Sequence, residues 1–373
     1  MVDQVDLSKV EIPPRMDLLE ERSYDKTYLR NMIADLEEIR KNTTDIVVKG
    51  PKVSVEPGWN LVVDVPSEGL KIYEPTSWTQ GQVLTKLHIP RIYHDHLLKE
   101  GREDMLDYNI NELMHMQELM MVRTVGKKAR ALVSPGFLPV DNLKLFSQVA
   151  NSVRDTNMQR PETQKPAQFW KADVNDHRLY LHILDEGREF DVGKSAKFSP
   201  MVIIKNSEVG DGSLSIEPGF YNWQCQNRHI MNALYTRAHR GVKLEEGTYA
   251  EDTRETADLL LRKQVRDWMY NTLHEDKVFE AEAKALRESI EVKFDNVQEA
   301  VHRIADANKL TVAEETDIIN AMMGDQTLQP EERNSLYAII QGMTFAEKKM
   351  GADRGYEVAK IASDVPALIK AVA

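Results

Sequence analysis

Cysteine is almost missing from this chain: Cys225 is the only one in 373 residues. A single thiol excludes an intramolecular disulfide framework and a multi-thiolate zinc site within one chain, and it suits a reducing compartment. Long apolar runs are missing as well; no stretch approaches the roughly eighteen consecutive apolar residues of a membrane-crossing helix. The first residues, Met1-Val2-Asp3-Gln4-Val5-Asp6, carry acids where a secretory signal carries basic residues followed by an apolar run. These absences set the expectation of a cytoplasmic protein with no membrane partner. Phosphate-cradling loops are absent too: neither Gly-x-x-x-x-Gly-Lys-Ser/Thr nor Gly-x-Gly-x-x-Gly occurs, which argues against an ATP-driven motor or a Rossmann dehydrogenase. No arrangement of residues names a reaction, and none implies a cofactor. What the chain does have is apolar content, 42% hydrophobic residues, enough to bury a large core and a second, smaller one.

Positive charge is in deficit overall, with 48 Lys and Arg against 60 Asp and Glu and a formal net charge of −12. That balance excludes a protein that coats nucleic acid with its whole surface, because phosphate binding rests on a local excess of Lys and Arg. Two windows do hold such an excess. Leu119 to Val140 has no acid and carries Arg123, Lys127, Lys128 and Arg130. Pro218 to Leu244 is also free of acids and carries Arg228, Arg237, Arg240 and Lys243 among Phe220, Tyr221, Trp223 and Tyr235. Cations interleaved with aromatics suit single-stranded nucleic acid, whose backbone charge is neutralised while its bases stack on rings. The plainer explanation is two strand-and-turn regions that lack acids and keep their charges solvated.

Periodicity divides the chain. Residues 1–45 read as an acidic helical N-terminal arm, with Leu29, Met32, Ile33, Leu36 and Ile39 recurring at helical spacing. Residues 46–250 read as an α+β core domain. Within it, Thr76-Ser77-Trp78-Thr79-Gln80 starts a helix that carries Val83, Leu84 and Leu87 before Pro90. Asn109 to Met121 is a Met-rich helix whose methionines fill core, and Val122 to Ser134 is a hairpin turning at Gly126-Lys127. Pro139-Val140-Asp141-Asn142-Leu143 starts a further helix through Val149, Met201 to Ile204 lies mid-sheet, and Tyr221, Trp223 and Cys225 alternate with Asn222, Gln224 and Gln226 as a half-buried antiparallel strand. From Thr253 the period is that of one long helix up to Ile290, with shorter helices after it, so residues 251–373 form a helical C-terminal region. The expected fold is α+β: a central antiparallel sheet, flanking helices and a helical C-terminal third.

Candidate chemistry is sparse. His94-Asp95-His96 would place both imidazoles on one face of a strand, but the local pattern is helical and turns them apart. Cys225, His229 and His239 match no familiar zinc spacing. Asn206-Ser207-Glu208-Val209-Gly210-Asp211-Gly212 could offer backbone N–H groups and a carboxylate to a ligand. A turn in which Asn and Ser bond their own backbone and the glycines take positive φ explains the same residues. Ser207 lacks the Gly-x-Ser-x-Gly elbow of a nucleophile.

Several segments in sequence order, Gly81 to Pro90, Asn109 to Leu113, Val122-Arg123, Arg130 to Ser134, Pro139 to Asn142, Asn206 to Gly210 and Cys225-Gln226-Asn227, resemble the phage/plasmid-like domain-of-unknown-function family 932. The likeness spans roughly residues 75 to 245, with a fainter echo at Ser335 to Thr344. Gln226 stands where the family has Thr, and Arg228 where it has Gly. The resemblance implies a mobile-element product in a bacterial host cytoplasm, near DNA metabolism, and brings no catalytic residues. Its order of sheet then long helix is loosely similar to the single-strand annealing proteins of phages, an analogy of element order alone.

Together these readings lead to the expectation of a homo-oligomer that binds single-stranded DNA and promotes annealing in replication or recombination. In it Arg123, Lys127, Lys128, Arg130, Arg228, Arg237 and Arg240 meet phosphates, and Trp223, Tyr221 or Trp170 offer stacking surfaces. The alternative is a non-catalytic structural or interaction protein that binds a host or phage protein partner through its acidic arm and helical third.

Overall fold

The computed structural model describes residues 18–192, 196–239 and 250–372. Contacts group the chain into two compact units, divided chiefly after Val133. Among described residues the first unit comprises 18–23, 31–133 and 174–177, and the second comprises 24–30, 134–173 and those from 178 onward.

A short strand, β1 (Arg22–Asp25), and helix α1 (Leu29–Asn42) span the first exchange between units. Met32, Leu36 and Ile39 form the buried stripe of α1, as their spacing predicts. The rest of the first unit is a six-stranded sheet under three helices. Its strands are β2 (Thr43–Lys49), β3 (Val53–Glu56), β4 (Asn60–Val65), β5 (Gly69–Pro75), β6 (Leu119–Val125) and β7 (Lys128–Val133); the helices are α2 (Ser77–Lys86), α3 (Arg91–Lys99) and α4 (Glu103–His115). The sheet order is β2-β6-β7-β5-β4-β3, antiparallel except where β5 runs parallel to β7. Thr76 caps α2 by accepting the N–H of Thr79 at 3.2 Å, which fixes where that helix starts. The Met-rich segment ends its helix at His115 and turns into β6; Met114, Met120 and Met121 are core, while Met116 is exposed.

The second unit pairs an eight-stranded sheet with a helical layer. Helix α5 (Asn142–Met158) precedes β8 (Ala167–Val174), β9 (Leu179–Asp185), β10 (Phe190–Val192), β11 (Ala196–Asn206), β12 (Leu214–Asn222), β13 (Arg228–Ile230) and β14 (Tyr235–Arg237). The main path is β1-β8-β9-β11-β12-β13, with β10 against β11 and β14 against β12. β11 pairs antiparallel with β9 and β12, so Met201 to Ile204 do lie mid-sheet. Ile203 sits opposite His182 on one side and Glu217 on the other. The two-residue period then puts Tyr180, His182, Ile203, Lys205, Glu217 and Tyr221 on one face.

Helices α6 (Glu251–His274), α7 (Lys277–Glu291), α8 (Val297–Ala307), α9 (Val312–Gly324), α10 (Leu336–Ala346), α11 (Ala352–Ser363) and α12 (Val365–Val372) complete the chain. The single long helix expected from Thr253 is two helices, because the chain turns extended at Glu275. The other sheet face, with Phe198 and Phe220, joins Phe279, Leu286, Ile304, Ile340 and Met343 in the largest core. The α+β class and helical C-terminal region are as expected; the strands form two sheets, one per unit, where one central sheet was expected. No helix among the described residues is long and apolar enough to cross a membrane.

Candidate nucleic-acid interface

Three aromatic side chains that are distant in sequence meet in the second unit. Trp170 lies on β8, Tyr221 near the end of β12, and Trp223 just past that strand. The Trp170 and Tyr221 rings are 5.0 Å apart between centroids, Tyr221 and Trp223 are 5.1 Å apart, and Trp170 and Trp223 are 6.3 Å apart. These are the edge-to-face and tilted spacings that aromatic quadrupoles favour. The indole N–H of Trp223 donates to Ser199 Oγ at 2.8 Å, and Ser199 is the β11 residue opposite Tyr221. That bond pins one edge of the indole while 37% of the residue stays exposed, so a ring surface is presented in a fixed orientation. Tyr221 is buried and acts as the floor between the two tryptophans.

Lys26 Nζ lies 5.7 Å from the centroid of the Trp170 ring, within cation–π range. An Asx turn holds it there: Asp25 Oδ1 accepts the N–H of Thr27 at 2.7 Å, and the N–H of Tyr28 returns to the Asp25 carbonyl at 3.0 Å. Reading residues 1–45 as one helical arm hides Lys26, which lies in the turn between β1 and α1; residues 1–17 of that arm lie outside the described residues.

Arg228 is the β13 partner of Tyr221. Its Nε donates to Glu347 Oε1 at 2.8 Å, and Nη1 lies 3.4 Å from His182 Nε2. Beside it, Lys171 Nζ pairs with Asp173 at 2.8 Å, and Asp173 lies 3.5 Å from His182. Burial pushes the His182 imidazole down to about 4, against the pull of Asp173. Burial pushes Asp173 up, but His182 and Lys171 outweigh it and hold the carboxyl below its ordinary range. Burial also raises Glu347, with the Arg228 guanidinium opposing. Each cation under the aromatic cluster therefore has a carboxylate of its own, so the patch is aromatic and nearly neutral rather than strongly positive.

The other basic residues are differently placed: Arg123, Lys127, Lys128 and Arg130 belong to the first compact unit, Arg228 and Arg237 to the second. Arg123 is buried on β6 and pairs with Asp45 at 3.1 Å across β2. Arg130 is 1% exposed, and its Nε donates to the Asp176 carbonyl at 2.7 Å. Both are structural: β6 and β7 are buried on both faces, so these guanidinium groups lie inside the unit and are met there by acceptors. Lys128 is half-buried, 4.0 Å from Glu74, whereas Lys127 is exposed at the hairpin tip beside Gly126, whose φ is 58°. Arg237 donates to Gln264 Oε1 at 2.6 Å. Arg240 and Lys243 lie outside the described residues.

The weighed metal candidates do not assemble. His94 is buried on α3 with Nδ1 2.7 Å from Asp95, and His96 points to solvent, as helical spacing requires. His229 faces Phe198, and His239 packs on Phe137. Burial lifts the Cys225 thiol to about 11, which leaves it protonated and inert at neutral pH. Among the described residues no group of three or more His, Cys, Asp and Glu is placed to hold a metal ion.

Asn206 to Gly212 forms a turn held by side-chain hydrogen bonds to its own backbone and to the start of α5. Ser207 Oγ accepts the N–H of Val209 at 3.3 Å and of Asp211 at 2.9 Å, while Gly210 and Gly212 have φ of 82° and 90°. Asn206 Nδ2 donates to the Val140 carbonyl at 2.8 Å and to Asn142 Oδ1 at 2.7 Å. At the other motif Gln226 is the left-handed residue, φ 59°, and Asn227 Nδ2 donates to the Gln341 carbonyl at 3.1 Å. No protein-family model, curated protein or solved structure matches this chain.

Proposed function

We propose that this protein binds single-stranded DNA through the Trp170–Tyr221–Trp223 cluster, and that it serves annealing in the replication or recombination of a phage or mobile element. The observation that carries the reading is the convergence of the three rings from two separate stretches of sequence, with the exposed Trp223 anchored at its indole nitrogen and Lys26 beside Trp170. Bases stack on such rings whatever their identity, and each stack is worth about 1–3 kcal/mol. The paired state of Lys171 and Arg228 makes stacking, and not phosphate neutralisation, the main source of affinity. Binding is then only weakly salt-dependent, with a slope near the ~0.7 log unit of a single phosphate contact. The mobile-element context rests on the motif resemblance.

The test is fluorescence anisotropy of labelled oligo-dT and of duplex DNA across a salt series, with tryptophan quenching read in parallel. Preference for the single strand, quenching on binding and a shallow salt slope support the reading. Absence of binding to the single strand at low salt removes it.

A second reading, an interaction protein, is favoured by one observation in the first unit. Leu70 and Ile72 on β5 are 74% and 58% exposed and share a strand face two residues apart. Such apolar exposure on a sheet surface marks a place where another protein can pack.

A further inference from the structure

An open groove of about 680 Å³ runs between the turn before α1, helix α5 and β8. Its floor is apolar, made of Leu29, Val153 and Phe169, with the exposed Met158 at one end. Its rim carries two cations, Lys26 and Arg154. Lys26 is shared, since the same ammonium lies over Trp170. Phe169 and Trp170 are successive strand residues, so they direct their rings to opposite sides: Phe169 packs against Phe146 of α5 at 4.9 Å, and Trp170 against Tyr221. The Lys26 turn thus stands at the boundary where the aromatic cluster ends and the groove begins.

We infer that the groove is a second nucleotide subsite for the same strand, reached round the β1 edge of the sheet at Lys26. The single strand passes from the aromatic cluster over Lys26 and lays a base on the Leu29–Val153–Phe169 floor. This rests on the proposed DNA-binding reading. Two features choose the occupant. An apolar floor with a cation at the mouth complements a nucleotide, which is a flat apolar ring bearing a phosphate. Continuity through Lys26 makes the next nucleotide of the same strand the group that arrives there. A volume of this size suits a ligand of one or two nucleotide units. Arg154 pairs with its neighbour Asp155 at 3.1 Å in an exposed ion pair, which a phosphate can displace at little cost.

The consequence is a length effect. Affinity for oligo-dT rises between a short oligomer of about four nucleotides and one of about twelve, by roughly tenfold beyond the statistical gain from extra lattice positions, because a second stack forms. Ala150→Trp, which places an indole in the groove, abolishes that excess, and so does Arg154→Glu, an exposed helix-surface change that leaves packing intact. Thermal unfolding by circular dichroism establishes that both variants fold. An excess that persists in both folded variants overturns the groove inference while leaving the cluster reading standing. If the wild-type protein binds the short oligomer but gains nothing with length, the subsite is likewise refuted. If neither oligomer binds, the cluster reading fails and the subsite with it.

Discussion

The Glu208 carboxylate accepts the backbone N–H of Asn142 at 2.8 Å, tying the turn after β11 to the first residue of α5. Both residues are buried, and Asn206 reinforces the tie through the Val140 carbonyl and the Asn142 side chain. An N–H in the first turn of a helix has no partner within the helix, so the turn supplies what the helix cannot. Glu208→Ala leaves that N–H buried without an acceptor and costs about 1–3 kcal/mol. The expected result is a lower denaturant midpoint, with Glu208→Gln, which retains an acceptor oxygen, recovering part of the loss. Equal midpoints for wild type and Glu208→Ala would show that the bond adds nothing.

Much of this tie was legible as sequence and none of it as contact. Pro139 to Asn142 and Asn206 to Gly210 were singled out separately, as were Cys225-Gln226-Asn227 and the Ser335 to Thr344 segment; the fold brings each pair together, through Glu208 and through Gln341. Turn chemistry is local, and so the glycines and Ser207 could be read correctly. The fate of the arginines could not be read, because burial of Arg123 and Arg130 depends on Asp45 and Asp176, which are distant in sequence. Absence of acids in a window says nothing about acids on the strand beside it. Trp170 illustrates the same limit: its residue type was noted, but its meeting with Trp223 follows from strand order.

Trp223→Ala removes the exposed indole while leaving Tyr221 and Trp170 in place. Affinity for oligo-dT is expected to fall by about 1–3 kcal/mol, the worth of one stack, with little change in salt slope. Lys26→Ala should do the reverse, flattening the slope by up to ~0.7 log unit. Anisotropy titrations across salt separate the two effects, and a Trp223→Ala protein that is folded and binds as tightly as wild type would move the interface elsewhere.

Gly219 on β12 sits where a side chain has no room. A Cβ at this position would lie 2.3 Å from the carbonyl oxygen of His229, the strand neighbour that carries the polypeptide from Arg228 to Ile230. Since the obstacle is backbone, relief requires β12 and β13 to separate, which also disturbs the Tyr221–Arg228 pairing under the aromatic cluster. Gly219→Ala is expected to destabilise by about 3 kcal/mol, at the upper end of ordinary single substitutions. The checks are the thermal midpoint and amide-exchange protection at Ile230 and Met231, whose N–H groups bond to Ser363 and Pro218. Wild-type protection there would contradict the close approach.

Three histidines make the fold acid-sensitive. Burial pushes His229 down to about 3, and His182 and His239 to about 4, from an ordinary value of 6.5. Between about pH 6.5 and 4 the unfolded chain therefore takes up protons that the folded chain refuses, and stability falls as pH falls through that window. Above it, all three are neutral in both states and contribute no slope. Each histidine adds at most about 1.4 kcal/mol per pH unit. His239 isolates the effect best, because its ring packs on Phe137 and burial is the largest influence on it, outweighing the opposing Leu138 backbone and Glu208 carboxylate. His239→Phe keeps the packing and removes a buried ring that resists charge, so stability at neutral pH should change little. Urea unfolding at about pH 7 and about pH 5 should then give a smaller difference for the variant than for wild type. The same difference in both proteins would show that His239 is protonated as readily in the folded state as in the unfolded one, and that its burial does not resist charge.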